Sequence, residues 1–178
     1  MLRGRLRNLP LLGALALAFG PAPGHAATPE AQVKAAYLHR LASFVRWPDG
    51  GGGINAFRFC VAGRNDIADV LQELVRGQNV LGQPIRVERL TAAQGDSAKN
   101  CQVLFLGRGP QTTRSLLAAT AGLPVLTVSD RNNGTWGGVV EFLIRDGKVR
   151  FAIDRDSAAR RQLDLSSKLM DGAVEVER

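Results

Sequence analysis

The side chains best suited to bind a charged ligand follow predicted strands. Arg64 follows the first of these strands, Arg108 the third, and Asp130 and Arg131 the fourth. In an open α/β sheet, ligands bind in the crevice outside the carboxyl ends of the strands, and arginines near helix N-termini can hold an anion there. No glycine fingerprint for a nucleotide accompanies these residues. A solvated basic rim is therefore the alternative interpretation.

Two residues near this edge also have two interpretations each. Asp130 either faces the crevice or hydrogen-bonds its own loop, as turn aspartates do. Trp136 lies in a polar, glycine-rich loop, where its ring either anchors an interface or packs over the edge of the sheet. We include Asp130, Arg131 and Trp136 with Arg64 and Arg108 as possible ligand or partner contacts.

The sequence contains no evident catalytic set. His39 is the single histidine beyond residue 26, and it lies on a predicted helix among apolar and basic neighbours. Neither Gly-x-Ser-x-Gly nor His-Glu-x-x-His occurs, which argues against a serine triad and a zinc site. The remaining catalytic option is a pair of carboxylates from Asp130, Glu141, Asp146 and Asp154. A turn explains Asp146, and we predict no catalytic residue, no metal and no cofactor.

The first 26 residues have the order of regions found in secretory signal peptides. The basic segment MLRGRLR precedes an apolar run at 9–19, and small residues lead to Ala26. The run is shorter than the roughly 20 residues that cross a bilayer. We expect cleavage near Ala26, no stable membrane insertion and export to the periplasm, with residues 27–178 forming one domain. Loss of three arginines lowers the formal charge from +7 to about +4, which weakens the case for a nucleic-acid partner.

Hydrophobic periodicity predicts the fold class. An amphipathic helix over 28–47, capped by Thr28, precedes a glycine-rich connector at 49–53. Predicted strands and helices then alternate, with strands at 57–61, 84–90, 103–106 and 124–128 and helices at 65–77 and 111–120. Asp146-Gly147 between apolar runs predicts a hairpin of 138–144 with 148–153, and helices at 155–162 and after Ser166 follow. We predict an α/β fold: a single three-layer-like domain with a mostly parallel sheet, flanking helices and an antiparallel hairpin at the edge.

Cys60 and Cys101 are the two cysteines of the chain. In an oxidising compartment they are expected to form a disulfide. A doubly wound sheet usually places its first strand between the second and the third, so the bridge is geometrically plausible. Two separately buried thiols and a redox centre are the alternatives, and no Cys-x-x-Cys motif supports a redox centre.

An ordered set of segments resembles the YfiR family over essentially the whole mature chain. The segments are VKAAYL (33–38), FVRWP (44–48), FRFCVAG (57–63), CQVLFLG (101–107), PVLTVSD (124–130), GGVVEF (137–142), VRFAID (149–154) and LSSKL (165–169). No segment is diagnostic alone, whereas the ordered set is specific.

The resemblance implies a periplasmic α/β protein without enzymatic activity. The best-understood members of this family repress an inner-membrane diguanylate cyclase by binding its periplasmic region, and thereby restrain cyclic di-GMP signalling and biofilm formation. They are typically dimeric. Cys60 and Cys101 match a disulfide pair of such members. A second pair, found in some members around 131–142, has no counterpart here.

Two classes of function therefore follow. The first is a regulatory protein that binds and represses a membrane diguanylate cyclase or another membrane sensor. The second is a periplasmic sensor module that binds a small molecule or anion in the crevice near Arg64, Arg108 and Asp130. A hydrolase with an unrecognised site is a third and weaker hypothesis.

Overall fold

Eight strands form the main sheet of the part of the protein that the structure describes. The computed structural model describes residues 27–51 and 55–177; the predicted signal peptide and residues 52 and 53 of the predicted connector lie outside the described residues. The ten strands of the described ranges are β1 (Val45–Arg46), β2 (Phe57–Ala62), β3 (Asn79–Val80), β4 (Gln83–Leu90), β5 (Val103–Leu106), β6 (Leu126–Asp130), β7 (Val140–Arg145), β8 (Lys148–Asp154), β9 (Asp164–Leu165) and β10 (Glu175–Glu177). All but β1 and β9 belong to the main sheet. The helices are α1 (Pro29–Leu41), α2 (Asn65–Leu74), α3 (Gly95–Ala98), α4 (Pro110–Ala119), α5 (Arg155–Arg160) and α6 (Ser167–Asp171).

The sheet is mostly parallel and doubly wound. From one edge to the other its order is β3, β4, β2, β5, β6, β7, β8 and β10. The five strands from β4 to β7 are parallel to one another. β3 pairs antiparallel with β4, and β7 pairs antiparallel with β8. As predicted, β2 lies between β4 and β5, so the loops after β2 and β5 are neighbours.

Alternating side chains of the strands produce two cores, one on each face of the sheet. On one face, Phe57, Phe59 and Val61 pack with the helices α1 and α2. On the other face, Cys60 and Ala62 pack with Leu116 of α4. This arrangement confirms the predicted three-layer α/β class.

The disulfide joins Cys60 of β2 to Cys101, which follows α3, with their Cα atoms 6.0 Å apart. Both cysteines are buried in the core beneath α3 and α4. The predicted bridge is therefore present. It links β2 to the connection that leads into β5.

The first helix is shorter than predicted. Thr28 caps α1, as expected, because its Oγ1 accepts a hydrogen bond from the backbone N–H of Ala31. The prediction that the helix continues to residue 47 was wrong. Val45 and Arg46 instead form β1, which pairs antiparallel with β9 in a separate two-stranded sheet. Pairing across the chain overrides the local helical periodicity there, and β-branched Val45 suits a strand.

The buried face of α1 does not include all of its apolar residues. Ala31, Lys34, Ala35 and Leu38 are buried, whereas Val33 remains 42% exposed. The apolar residues of the helix are thus divided between the core and the surface. This division leaves Val33 available for contacts outside the domain.

The predicted hairpin forms between β7 and β8. Asp146 and Gly147 both have positive φ angles, 52° and 68°, as a two-residue type I′ turn requires. Strand β10, which the sequence did not predict, pairs in parallel with β8 at the outer edge. None of the helices within the described ranges is long and apolar enough to cross a membrane.

Candidate functional site

A crevice opens where β2 and β5 end, at the point where the chain changes direction across the sheet. From β2 the chain proceeds to β4 on one side and then to β5 on the other side. Open α/β sheets bind ligands at such switch points. The crevice has a volume of about 500 Å³ and is lined by Thr28, Glu30, Gly63, Arg64, Asn65, Asp66, Arg108 and Asn133. The structure therefore brings Arg64 and Arg108 together, as the sequence predicted.

Two glycines allow the loops after β2 and β5 to pack against each other. Gly63 has a φ of +78°, and a Cβ atom there would lie 2.4 Å from the carbonyl oxygen of Arg108. A Cβ atom on Gly107 would lie 2.4 Å from Cγ of Arg64. Only glycine satisfies both the backbone conformation and the close approach at residue 63.

A buried ion pair lies beneath the crevice. Lys34 of α1 donates a hydrogen bond of 2.6 Å from Nζ to Oδ2 of Asp130, and both side chains are inaccessible to solvent. Asn133 donates to the same oxygen over 2.7 Å. Asp130 is thus bonded both to its own loop and to the first helix. Its Oδ1 atom is buried without a hydrogen-bond partner among the described residues.

Carboxylates surround the guanidinium of Arg64. Arg64 donates to Asp66 through Nε over 2.8 Å and through Nη2 over 2.7 Å, and its Nη1 lies 3.4 Å from Oε1 of Glu30. The hydrogen bonds with Asp66 raise the pKa of Arg64 above its usual value. The same contact lowers the pKa of Asp66. The hydrogen bond from Lys34 lowers the pKa of Glu30.

The charges of this region balance one another. The cations are Lys34, Arg64 and Arg108, and the anions are Glu30, Asp66 and Asp130. Arg64 and Lys34 are already neutralised by these carboxylates. Arg108 is exposed and forms no ion pair within the described part of the chain. Any anion bound in this crevice would therefore depend mainly on Arg108.

Arg131 lies apart from the crevice, in a second cluster near β10. It pairs with Glu141, with Glu175 over 2.8 Å and with Glu177 over 3.4 Å. Arg145 adds a contact of 2.6 Å to Glu175. These contacts fix the terminal strand to β7. The structure thus separates Arg131 from Arg64 and Arg108.

Trp136 lies on the connection between β6 and β7. Its side chain is 58% exposed, and the following Gly137 donates its backbone N–H to Oε1 of Glu141 over 2.7 Å. The loop is held by hydrogen bonds while the indole ring faces outward. An exposed ring on an ordered loop is suited to contact another molecule.

His39 is half-buried on α1 and contacts the core. Its ring centroid lies 6.5 Å from that of Phe59, and burial lowers its pKa. No hydrogen bond joins it to another side chain within the described ranges. Over these same residues, no group of three or more histidine, cysteine, aspartate or glutamate side chains is arranged to hold a metal ion.

An apolar groove, which the sequence did not predict, follows the exposed side of α1. We call it the α1 groove and define it by two adjoining depressions that share Tyr37. One depression, of about 190 Å³, is lined by Tyr37, Arg40, Leu41, Phe44, Phe151, Lys168 and Leu169. The other, of about 490 Å³, is lined by Pro29, Glu30, Val33, Tyr37, Ile144, Gly147, Lys148, Val149 and Arg150.

Sequence reasoning missed Lys34, although a signal for it existed. Residues 31, 34, 35 and 38 share one face of an α-helix, and the other three members of this set are alanine or leucine. A lysine on such a face needs a buried anion. The position of that anion, Asp130, depends on the fold and is not readable from spacing.

Comparison with known proteins identifies a family. The model of the family described as DUF4154, YfiR/HmsC-like, matches residues 31–174. No curated protein matches the chain significantly.

Two solved structures are similar to this chain at very low sequence identity. The first is the ABC domain in complex with L-Trp from Streptococcus pneumonia, with a TM-score of 0.53, 8% identity and coverage of 82% of this chain and 61% of that chain. The second is a conserved domain protein from Vibrio cholerae O1 biovar eltor str. N16961, with a TM-score of 0.47, 9% identity and coverage of 83% and 60%. This chain thus spans about three fifths of the length of each. The first likeness concerns the fold alone.

Proposed function

Because the chain belongs to the YfiR/HmsC-like family, we propose that it binds the periplasmic region of an inner-membrane diguanylate cyclase and represses it. Repression of that enzyme would restrain cyclic di-GMP synthesis and biofilm formation. The observation that carries the proposal is the family match, which extends over residues 31–174. At the level of the family, the function is regulation of a diguanylate cyclase from the periplasm, and not catalysis.

Two structural features agree with a non-catalytic function in the periplasm. The Cys60–Cys101 disulfide fits an oxidising compartment. The charged side chains around the crevice are mostly engaged with one another, as in a structural ion-pair network. We further propose that residues 1–26 are a signal peptide cleaved near Ala26, and that the mature protein is a homodimer.

Repression requires a difference in affinity between two states of the cyclase. A protein that binds the inactive state more tightly shifts the population toward that state, whereas equal affinity for both states shifts nothing. A signal that releases the protein would therefore act by removing this difference. Trp136, whose side chain is 58% exposed, and Arg131, whose side chain is 25% exposed after β6, are proposed contacts for the partner.

Cross-linking in the host tests the proposal directly. Tagged full-length protein is cross-linked in living cells, and the captured inner-membrane proteins are identified by mass spectrometry. We expect a diguanylate cyclase with a periplasmic region, and we expect cyclic di-GMP to rise when the protein is deleted and to fall again on complementation. Unchanged cyclic di-GMP together with capture of no cyclase would overturn the proposal.

A sensor for a small anion is the second candidate function. The crevice at the switch point and the unpaired Arg108 among the described residues favour it. Thermal shifts of the mature protein would be measured with a panel of carboxylates and phosphates, using Arg108→Ala and the control Arg86→Ala. A shift that Arg108→Ala alone abolishes supports this function. No shift for the wild type, or an equal shift for both variants, counts against it.

A further inference from the structure

We propose that the α1 groove is the docking site for an acidic amphipathic helix of the regulated membrane protein. The inference rests on the proposed function and names the surface and the chemistry of the partner segment. Its starting point is the apolar floor of the groove. Tyr37 packs against Phe151 and Phe142, with ring centroids 5.8 Å and 6.0 Å apart, and Val33 and Ile144 are 42% and 36% exposed beside it.

The basic residues along the groove have no anionic partners in the described part of the chain. Arg40 and Lys168 border the first depression, and Lys148 and Arg150 border the second. Elsewhere on the surface, exposed cations are commonly paired: Arg76 with Glu73, Arg89 with Asp69, and Lys99 with Asp96. Glu30, the one acidic residue that lines the groove, is already bound by Lys34. The groove therefore combines an apolar floor with uncompensated positive rims.

This combination is complementary to a helix with an apolar stripe and flanking carboxylates. The groove follows α1, whose 13 residues extend over about 20 Å at 1.5 Å per residue. A partner helix of similar length would present about four apolar anchors at spacings of three and four. A helix also satisfies its own backbone hydrogen bonds, so side-chain contacts alone can hold it. The β7 and β8 backbones near the groove are paired with each other and offer little to an added strand.

The test measures affinity for the purified periplasmic domain of each diguanylate cyclase of the host. Val33→Glu places a carboxylate on the apolar floor, and Leu74→Glu is its matched control because Leu74 is 39% exposed on α2. Arg40→Glu/Lys168→Glu reverses the charge of two residues on the groove rim. Arg86→Glu/Arg114→Glu is its control, because it changes the net charge by the same amount at residues that do not line the groove. We expect the two groove variants to bind at least about tenfold more weakly, and the controls to bind within about twofold of the wild type. Charge reversal of the acidic residues in the partner helix should restore binding to the rim variant.

The outcomes separate this inference from the proposed function. If the wild type binds a cyclase domain and the groove variants bind it equally well, the α1 groove is not the docking site and the proposed function remains. If the wild type binds no cyclase domain, both are overturned. If Val33→Glu dissociates a dimer while its affinity for the cyclase is unchanged, a second copy occupies the groove and the inference fails. If circular dichroism shows that Val33→Glu folds poorly, the rim variant decides whether the groove is the docking site. That variant is altered only at side chains on the groove border.

Discussion

The Nζ atom of Lys34 lies 2.6 Å from Oδ2 of Asp130, although 96 residues separate them along the chain and neither side chain reaches solvent. This ion pair joins the first helix to the carboxyl end of β6. A buried charge that loses its partner keeps its desolvation cost without compensation. The packing of α1 against the sheet therefore depends on the loop that follows β6.

Lys34→Met is expected to destabilise the protein by about 3 kcal/mol, because it removes the hydrogen-bonded counter-charge of the buried Asp130 carboxylate. Among the described residues it leaves only Arg64 as a counter-charge, whose Nη1 lies 3.9 Å from Oδ2. Methionine keeps most of the aliphatic contacts of the lysine, so the loss reports mainly on the charge. Urea unfolding of the mature protein, followed by circular dichroism, measures the change.

Lys34→Met/Asp130→Asn is the matched control. Asparagine removes the charge that has lost its hydrogen-bonded lysine and still accepts a hydrogen bond from Asn133, so much of the lost stability should return. A single variant as stable as the wild type, or a double variant no more stable than the single one, would contradict the assigned role of the pair.

Gly63→Ala is expected to destabilise the junction between the loops after β2 and β5. The backbone has a φ of +78°, and the new Cβ atom would lie 2.4 Å from the carbonyl oxygen of Arg108. The left-handed conformation alone costs an alanine roughly 1–2 kcal/mol, and relief of the overlap requires backbone movement in addition. Chemical denaturation should therefore show that the free energy of unfolding decreases by more than this range.

Gly122→Ala separates the two contributions. Its φ is +70°, and a Cβ atom there would meet no other atom within 4 Å. This variant should lose only the conformational part, roughly 1–2 kcal/mol. Equal losses at both positions would show that the close approach to Arg108 contributes nothing.

Local patterns predicted the features of the fold that depend on local chemistry. Asp146-Gly147 specified the hairpin because its turn type requires two positive φ angles. The alternation of elements indicated a parallel sheet with β2 between its neighbours, which also made the Cys60–Cys101 bridge plausible. Each of these inferences needed only sequence order and short-range geometry.

Features that depend on distant partners were not readable in the same way. Val45 and Arg46 continue a helical periodicity, yet they pair with residues 164 and 165 near the other end of the chain. Arg131 follows β6 as predicted but turns toward Glu141 and Glu175. The sequence did not predict β10, which carries Glu175. No sequence pattern therefore placed Glu175 beside Arg131.

Acid should weaken the contacts around Arg64 before it affects the apolar core. The folded-state pKa values of Asp66 and Glu30 lie below their ordinary values of 3.8 and 4.5. A carboxylate with a lowered folded pKa contributes stability above its unfolded pKa, and that contribution disappears as the pH falls through the folded pKa. The free energy of unfolding should therefore decrease as the pH is lowered from about 5 toward about 3.

Asp66→Asn tests the origin of this pH dependence. The variant should be less stable than the wild type near neutral pH, and the difference should shrink as the pH falls below the ordinary pKa of aspartate. Urea midpoints measured across this interval give both curves. Parallel curves for the two proteins would assign the acid sensitivity to other carboxylates.

Removal of the disulfide is expected to cause one of the largest losses of stability. Cys60 and Cys101 are 41 residues apart, and opening a loop of this size costs roughly 4 kcal/mol in the chain-entropy model. For a domain of this length, such a loss corresponds to a decrease of roughly 8–16 °C in Tm. Cys60→Ala/Cys101→Ala, measured in non-reducing buffer, should show this decrease, and reduced wild type should melt close to the variant. In this model the bridge stabilises the domain by restricting the unfolded chain, and not by shaping the folded structure. The double variant should therefore retain the native circular dichroism spectrum at low temperature. An unchanged Tm in non-reducing buffer would mean that the bridge does not stabilise the domain.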